Sequence, residues 1–137
     1  MMYEWYYQSC WNKIAKTANV ERFYFCHDGV KYVVRKKITE YSTQYLVMSP
    51  YSTCLIDIPI NCNSNAYLVN LMTRYAYRKQ GYGRKLMDFI YHFMSVEKQH
   101  ITIEWSSTLD GMHLYTKLPY AIRLGNTYKF KMDILNK

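Results

Sequence analysis

Glycine and proline are scarce in this chain, 5 and 3 in 137 residues, and no repeat, linker or low-complexity tract appears. That composition excludes a collagen-like or intrinsically disordered polypeptide. Long apolar runs are missing too. No window approaches the ~18 consecutive apolar residues that a membrane-spanning helix needs. The start, Met1-Met2-Tyr3-Glu4-Trp5, has neither a basic nor an apolar leader region, so the expected location is cytoplasmic. Four cysteines, Cys10, Cys26, Cys54 and Cys62, form no Cys-x-x-Cys pair and no zinc-like spacing. Cys26 and His27 are adjacent and cannot both face one site from a regular strand. Reduced, mostly buried thiols are therefore expected.

Acidic residues are also few, 10 against 18 Lys and Arg, for a net charge of +8. The excess is uneven: residues 1–69 carry seven bases and five acids, residues 70–137 eleven and five. Such a surface leaves an acidic macromolecule or nucleic acid open as a partner, beside the plainer role of solubility. Half of the residues are hydrophobic and 20% are charged. At this length that balance specifies one folded domain, residues 1–137, with a real core.

Periodicity sets out the elements. Tyr7, Trp11, Ile14, Ala15 and Ala18 recur at helical spacing and predict a first helix over Tyr3 to Ala18. Arg22 to His27 and Val30 to Lys36 read as strands joined by Asp28-Gly29, a strong hairpin signal. Gln44 to Met48 and Thr53 to Ile60 follow as strands, with Ser49-Pro50-Tyr51-Ser52 as their turn. After the polar turn at 61–65 comes an apolar strand, Ala66 to Thr73. Leu86, Phe89, Ile90 and Phe93 mark an amphipathic helix from Gly83 to about Val96. Ile101 to Trp105 alternates as a strand. Ser107 with Asp110 has capping-box spacing for a helix carrying Tyr115. Ala121 to Leu124 and Tyr128 to Ile134 close the chain as strands. The expected fold class is α/β (α+β), a mixed sheet flanked by helices.

The richest segment is Arg78-Lys79-Gln80-Gly81-Tyr82-Gly83, between a strand and a helix. A glycine-containing basic turn at a helix start presents free N–H groups and a positive helix end to phosphate oxygens. Arg74, Arg78, Lys79, Arg84 and Lys85 surround it. No Walker loop matches, and the dinucleotide fingerprint fails for want of a third glycine. What does match is Arg/Gln-x-x-Gly-x-Gly/Ala. Tyr77 to Leu86 resembles, almost position for position, the "yRgqGiGraL" run of the GNAT superfamily of acyl-CoA-dependent N-acetyltransferases. Ser106 to Tyr120 resembles that family's "se.Gr.lYeklGF" segment, except that Pro119-Tyr120 stands where Gly-Phe is usual. The resemblance spans Tyr67 to Tyr120 and is faint in the first half.

It implies a central mixed, mostly antiparallel sheet with one splayed strand pair. It also implies acetyl-CoA as co-substrate and a primary amine acceptor that attacks it directly in a ternary complex, in a monomer or homodimer. Carried over, coenzyme A binding falls on Met72, Thr73, Arg74, Arg78, Lys79, Gln80, Gly81, Tyr82, Gly83 and Arg84, with main-chain N–H groups near Met72 to Arg74 facing the oxyanion and pantetheine. Tyr115 falls on the tyrosine that protonates the departing thiolate. Glu104 and Asp57 are candidates for the base, and His113 is expected on an exposed helix face. Two other readings stay open: a non-catalytic module binding nucleic acid or protein through its basic face and tyrosines, and an acyltransferase acting on an acidic macromolecule such as aminoacyl-tRNA.

Overall fold

Alternation of aromatic and branched residues with polar ones builds a nine-stranded sheet. The computed structural model describes residues 4–9, 19–60, 65–97 and 101–134. The strands are β1 (Glu4–Ser9), β2 (Asn19–His27), β3 (Val30–Ile38), β4 (Ser42–Met48), β5 (Ser52–Pro59), β6 (Asn65–Thr73), β7 (Ile101–Ser106), β8 (Ile122–Arg123) and β9 (Lys129–Ile134). They lie in the order β1-β2-β3-β4-β5-β6-β7-β9-β8. Every adjacent pair is antiparallel except β6 with β7. The Asp28-Gly29 turn works as its sequence suggests. Both residues take left-handed backbone, φ 50° and 75°, the conformation that a two-residue hairpin with native strand twist requires.

Register gathers the apolar side chains on one face. Phe23, Val34, Val47 and Cys54 form one cross-strand row, and Ala66, Ile103 and Met132 another. All seven are buried. Helix α1 (Tyr82–Glu97) lays Leu86, Met87, Phe89, Ile90, Phe93 and Met94 on this face. Phe89 stacks on Tyr32 at 4.2 Å, and Phe25 meets Phe89 and Phe93 edge-on. Each such side chain contributes about 2 kcal/mol. The C-terminal turn of α1 is held by Glu97, which accepts from Tyr45 Oη and pairs with Lys36, both at 3.0 Å. Among the described residues no helix is long and apolar enough to cross a membrane.

Two expectations change. Residues 4–9 form a strand paired with β2, not part of a helix; the remainder of that predicted helix lies outside the described residues, as do Cys10 and Cys62. Helix α2 (Met112–Tyr115) is a single turn capped at Gly111 without a side-chain bond. Ser107 Oγ instead donates to Thr108 O, and Thr108 Oγ1 accepts from Gly111 N–H, so the Ser107–Asp110 capping box does not form. Helix α2 packs Tyr115 on Trp105 and Phe130, the same face that α1 covers. The described helices therefore share one side of the sheet. Of the described thiols, Cys54 is buried but Cys26 is exposed, since strand alternation turns Cys26 away from the buried His27.

Candidate active site at a splayed strand pair

The parallel pairing of β6 and β7 stops at Tyr67 and Glu104. β6 continues to Thr73 beside β5 alone. A bulge accompanies the divergence: Asn70 and Leu71 together face the single Cys54 of β5. Asn70 takes φ 56°, a conformation that asparagine tolerates better than other side chains bearing a Cβ. The extra residue reverses the alternation, so Ala66 and Leu68 turn inward before it while Leu71 and Thr73 are the more covered positions after it.

The gap is a cleft of about 560 Å³, within the size range of ligand sites. Its walls come from both faces of the sheet. Leu68, Trp105 and Phe130 lie on the helix-covered side; Tyr67, Val69, Glu104 and Lys129 lie on the other. Main-chain polarity lines it as well. Arg74 donates its N–H to Tyr51 O, and successive N–H groups of an extended strand point to opposite sides. Thr73 therefore turns its N–H and C=O toward the gap. Arg74, by the same bond, does not offer the N–H expected of it. On the opposite wall Ser107 N–H is given to Tyr128 O, so Ser106 turns its backbone into the cleft.

The basic turn follows directly. A 3-10 turn at Tyr75–Tyr77 leads through Arg78 into Lys79 (φ 62°) and Gly81 (φ 86°). The first helical bond is Lys85 N–H to Gly81 O. Tyr82, Gly83 and Arg84 thus begin α1 with N–H groups that have no intrahelical acceptor, and the helix dipole adds positive potential. The turn's side chains rigidify it: Arg78 Nε donates to Thr73 O, and Gln80 Nε2 donates to Ala76 O. Tyr82 stacks on Tyr51 at 3.9 Å. Gly83 also has a packing role. A Cβ there would sit 3.3 Å from Leu114 Cδ2 and 3.5 Å from Thr73 Oγ1. Its small size lets α1 approach α2 and β6, whereas Gly81 supplies the left-handed backbone.

The three proposed catalytic residues are divided. Glu104 lines the cleft. Its cross-strand partner Lys131 leans to Asp133 at 3.9 Å, leaving the Glu104 carboxylate without an ion pair among the described residues. Asp57 is on the same face, one strand beyond Tyr67, outside the cleft wall and bonded by Gln44 Nε2 at 3.3 Å. Tyr115 sits one layer behind the wall, buried against Trp105 and Phe130. Burial, with a smaller contribution from Cys54, pushes its phenol up to about 12. His113 is exposed, as expected.

Trp105, Lys129 and Phe130 carried no motif and were missed in the sequence, and Ser106, though it opens the resembling segment, was not singled out for the site. Tyr120, the departure from the usual Phe, has a function: its hydroxyl donates to Asp88 Oδ1 at 2.5 Å and its ring stacks on Tyr91 at 4.4 Å. One turn of helix has little intrinsic stability, so this strut to α1 helps to fix α2. Beside the strut is a second cavity, about 420 Å³, to which Arg84 contributes. Tyr120→Phe keeps the stack but loses a bond to a charged acceptor, and should cost about 2 kcal/mol. A melting temperature lower by roughly 6 °C is expected; an unchanged value would mean that water replaces the bond at no cost.

No family model matches the chain, and no curated protein does. Among solved structures, it is similar to the ribosomal-protein-S18-alanine N-acetyltransferase from Escherichia coli, with 14% identity and a TM-score of 0.50 over 73% of this chain and 74% of that one. It is likewise similar to Gcn5 of Tetrahymena, with 10% identity and a TM-score of 0.51 over 72% of each chain. The likeness is one of fold: the sheet and the helix that follows the basic glycine turn share the overall architecture of these two structures.

Proposed function

We propose that this protein transfers an acetyl group from acetyl-CoA to a primary amine within a ternary complex. The observation that carries the reading is the junction of two features on one stretch of chain. The β6 bulge opens a cleft lined by main-chain donors, and a few residues later the same strand feeds a basic helix N-terminus. An acyl thioester on a long arm with a pyrophosphate tail fits that junction: phosphates at residues 78–84, arm and acetyl group between β6 and β7.

In the proposed reaction the amine nitrogen attacks the thioester carbon, forming the C–N bond and a tetrahedral oxyanion. Thr73 N–H faces the gap as a donor to that oxygen. Glu104 takes the proton that the acceptor's ammonium must shed before its neutral nitrogen attacks, and the adduct nitrogen, now cationic, gives its second proton to solvent. Collapse breaks the C–S bond and releases the thiolate. Tyr115 holds its proton too tightly to serve as a strong acid. Transfer from a phenol near 12 to a thiolate near ~8.5 is uphill by roughly 5 kcal/mol. Its part is a hydrogen bond to the departing sulfur. Asp57 is proposed to have only a structural part, through Gln44.

Acetyl-CoA at about a hundredfold excess over its Kd should stabilise the protein by about 2.7 kcal/mol, raising the melting temperature by roughly 8–10 °C. NAD and ATP should do so little. Lys79→Glu, a charge reversal in the turn, should remove most of that shift. An unchanged melting curve at millimolar acetyl-CoA overturns the cofactor assignment. A normal shift without CoA release on any amine, peptide or tRNA points instead to a non-catalytic binding module.

A further inference from the structure

On the side of the sheet away from the helices, the cleft mouth presents one acid and one base. Glu104 and Ser106 are two apart on β7 and so share a face. Ser106 pairs with Lys129 of β9. Glu104 and Lys129 are therefore diagonal neighbours, about 7–8 Å apart at the backbone, and both line the cleft. The backbone of Lys129 is fixed on both sides: its N–H donates to Thr127 Oγ1, and its C=O accepts from Leu124 N–H. Among the described residues its ammonium pairs with no carboxylate, and the side chain is exposed. Facing the two charges from β6 are Tyr67 and Val69, 40% and 38% exposed, which leaves apolar surface at the entrance.

An unpaired carboxylate, an unpaired ammonium one diagonal step away and an apolar wall are complementary to a zwitterion with an apolar body. We infer that the acceptor is an amine carrying its own carboxylate, of the amino-acid type, and that Lys129 binds that carboxylate while Glu104 receives the amine. This inference rests on the acetyl transfer proposed above and specifies its acceptor. Lys129 touches the acceptor but takes no part in proton transfer, so its effect should appear in KM rather than in kcat. Lys131, already turned to Asp133, is the internal control.

The test uses phenylalanine and phenethylamine, which differ in the carboxylate, with the full chain and acetyl-CoA. The wild type should acetylate phenylalanine with a kcat/KM ~10- to 100-fold above that for phenethylamine. Lys129→Gln should abolish that preference by raising KM for phenylalanine; Lys131→Gln should keep it. Calorimetric binding of phenylalanine to the CoA-loaded protein gives a readout free of turnover, and Lys129→Gln should weaken it at least tenfold. Equal use of both amines by wild type and Lys129→Gln overturns the carboxylate anchor while leaving acetyl transfer standing. Lys129-dependent phenylalanine binding without any transfer overturns the chemistry and keeps the anchor. Neither binding nor transfer overturns both.

Discussion

Between pH 10 and pH 12 the domain is expected to lose about 8 kcal/mol of stability and to unfold cooperatively. Tyr32, Tyr45 and Tyr115 are buried at 1%, 0% and 6% exposure. Burial pushes the Tyr115 phenol up to about 12 and those of Tyr32 and Tyr45 further still, with Glu97 adding to the shift at Tyr45. In the unfolded chain a phenol ionises near 10. Below that pH both states keep their protons and the native state has its full advantage. Above it the unfolded chain gives up protons that the native state retains, and each buried tyrosine costs about 1.4 kcal/mol per pH unit. Three of them cost about 4 kcal/mol at pH 11 and about 8 at pH 12, comparable with the ~5–15 kcal/mol that holds a domain together. Circular dichroism and tyrosinate absorbance should change together in one steep step. Tyr115→Phe should soften the loss by about 2 kcal/mol at pH 12. Gradual ionisation of all sixteen tyrosines near pH 10, with no loss of structure, would contradict the burial argument.

What the sequence made legible is what local chemistry decides. Asp28-Gly29 can hardly be anything but a hairpin turn, because both positions need left-handed backbone. The apolar stripe of α1 and the basic glycine turn before it depend only on neighbouring residues. Non-local pairing is where the reading failed. The aromatic run at residues 3–7 fits a helical stripe and a strand equally well, and β2, a dozen residues on, resolves it by pairing. The single turn of α2 is held by Tyr115 against the sheet and by Tyr120 on Asp88, so its weak local capping matters little. The two acids illustrate the limit best. Asp57 and Glu104 were both candidates for the base. They share a face and flank Tyr67, and only the register separates them: Gln44 is opposite Asp57, while the partner of Glu104 leans away. Lys129 was invisible for the same reason. Its significance comes from its pairing with Ser106.

That separation of the two acids leads to the prediction with the largest effect on activity. Glu104→Gln is nearly isosteric and keeps strand, register and cleft wall, so stability and acetyl-CoA binding should be close to wild type. It removes the group that accepts the amine's proton, and kcat/KM at pH 7 should fall about 10³-fold, mid-range for general base catalysis. The residual activity should have a distinctive pH dependence. An unassisted enzyme must wait for acceptor that is already neutral, and below the amine's own pKa of ~10 that fraction grows tenfold per pH unit. The variant should therefore recover steeply from pH 7 to pH 9, while the wild type rises far less. Below pH 10 the tyrosine-driven unfolding has not begun, so the comparison is made on a folded protein. Asp57→Asn should cost less than threefold, because it alters a contact with Gln44 outside the cleft. A Glu104→Gln enzyme within threefold of wild type at pH 7 would move the base elsewhere and leave the diagonal of Glu104 and Lys129 without its catalytic half.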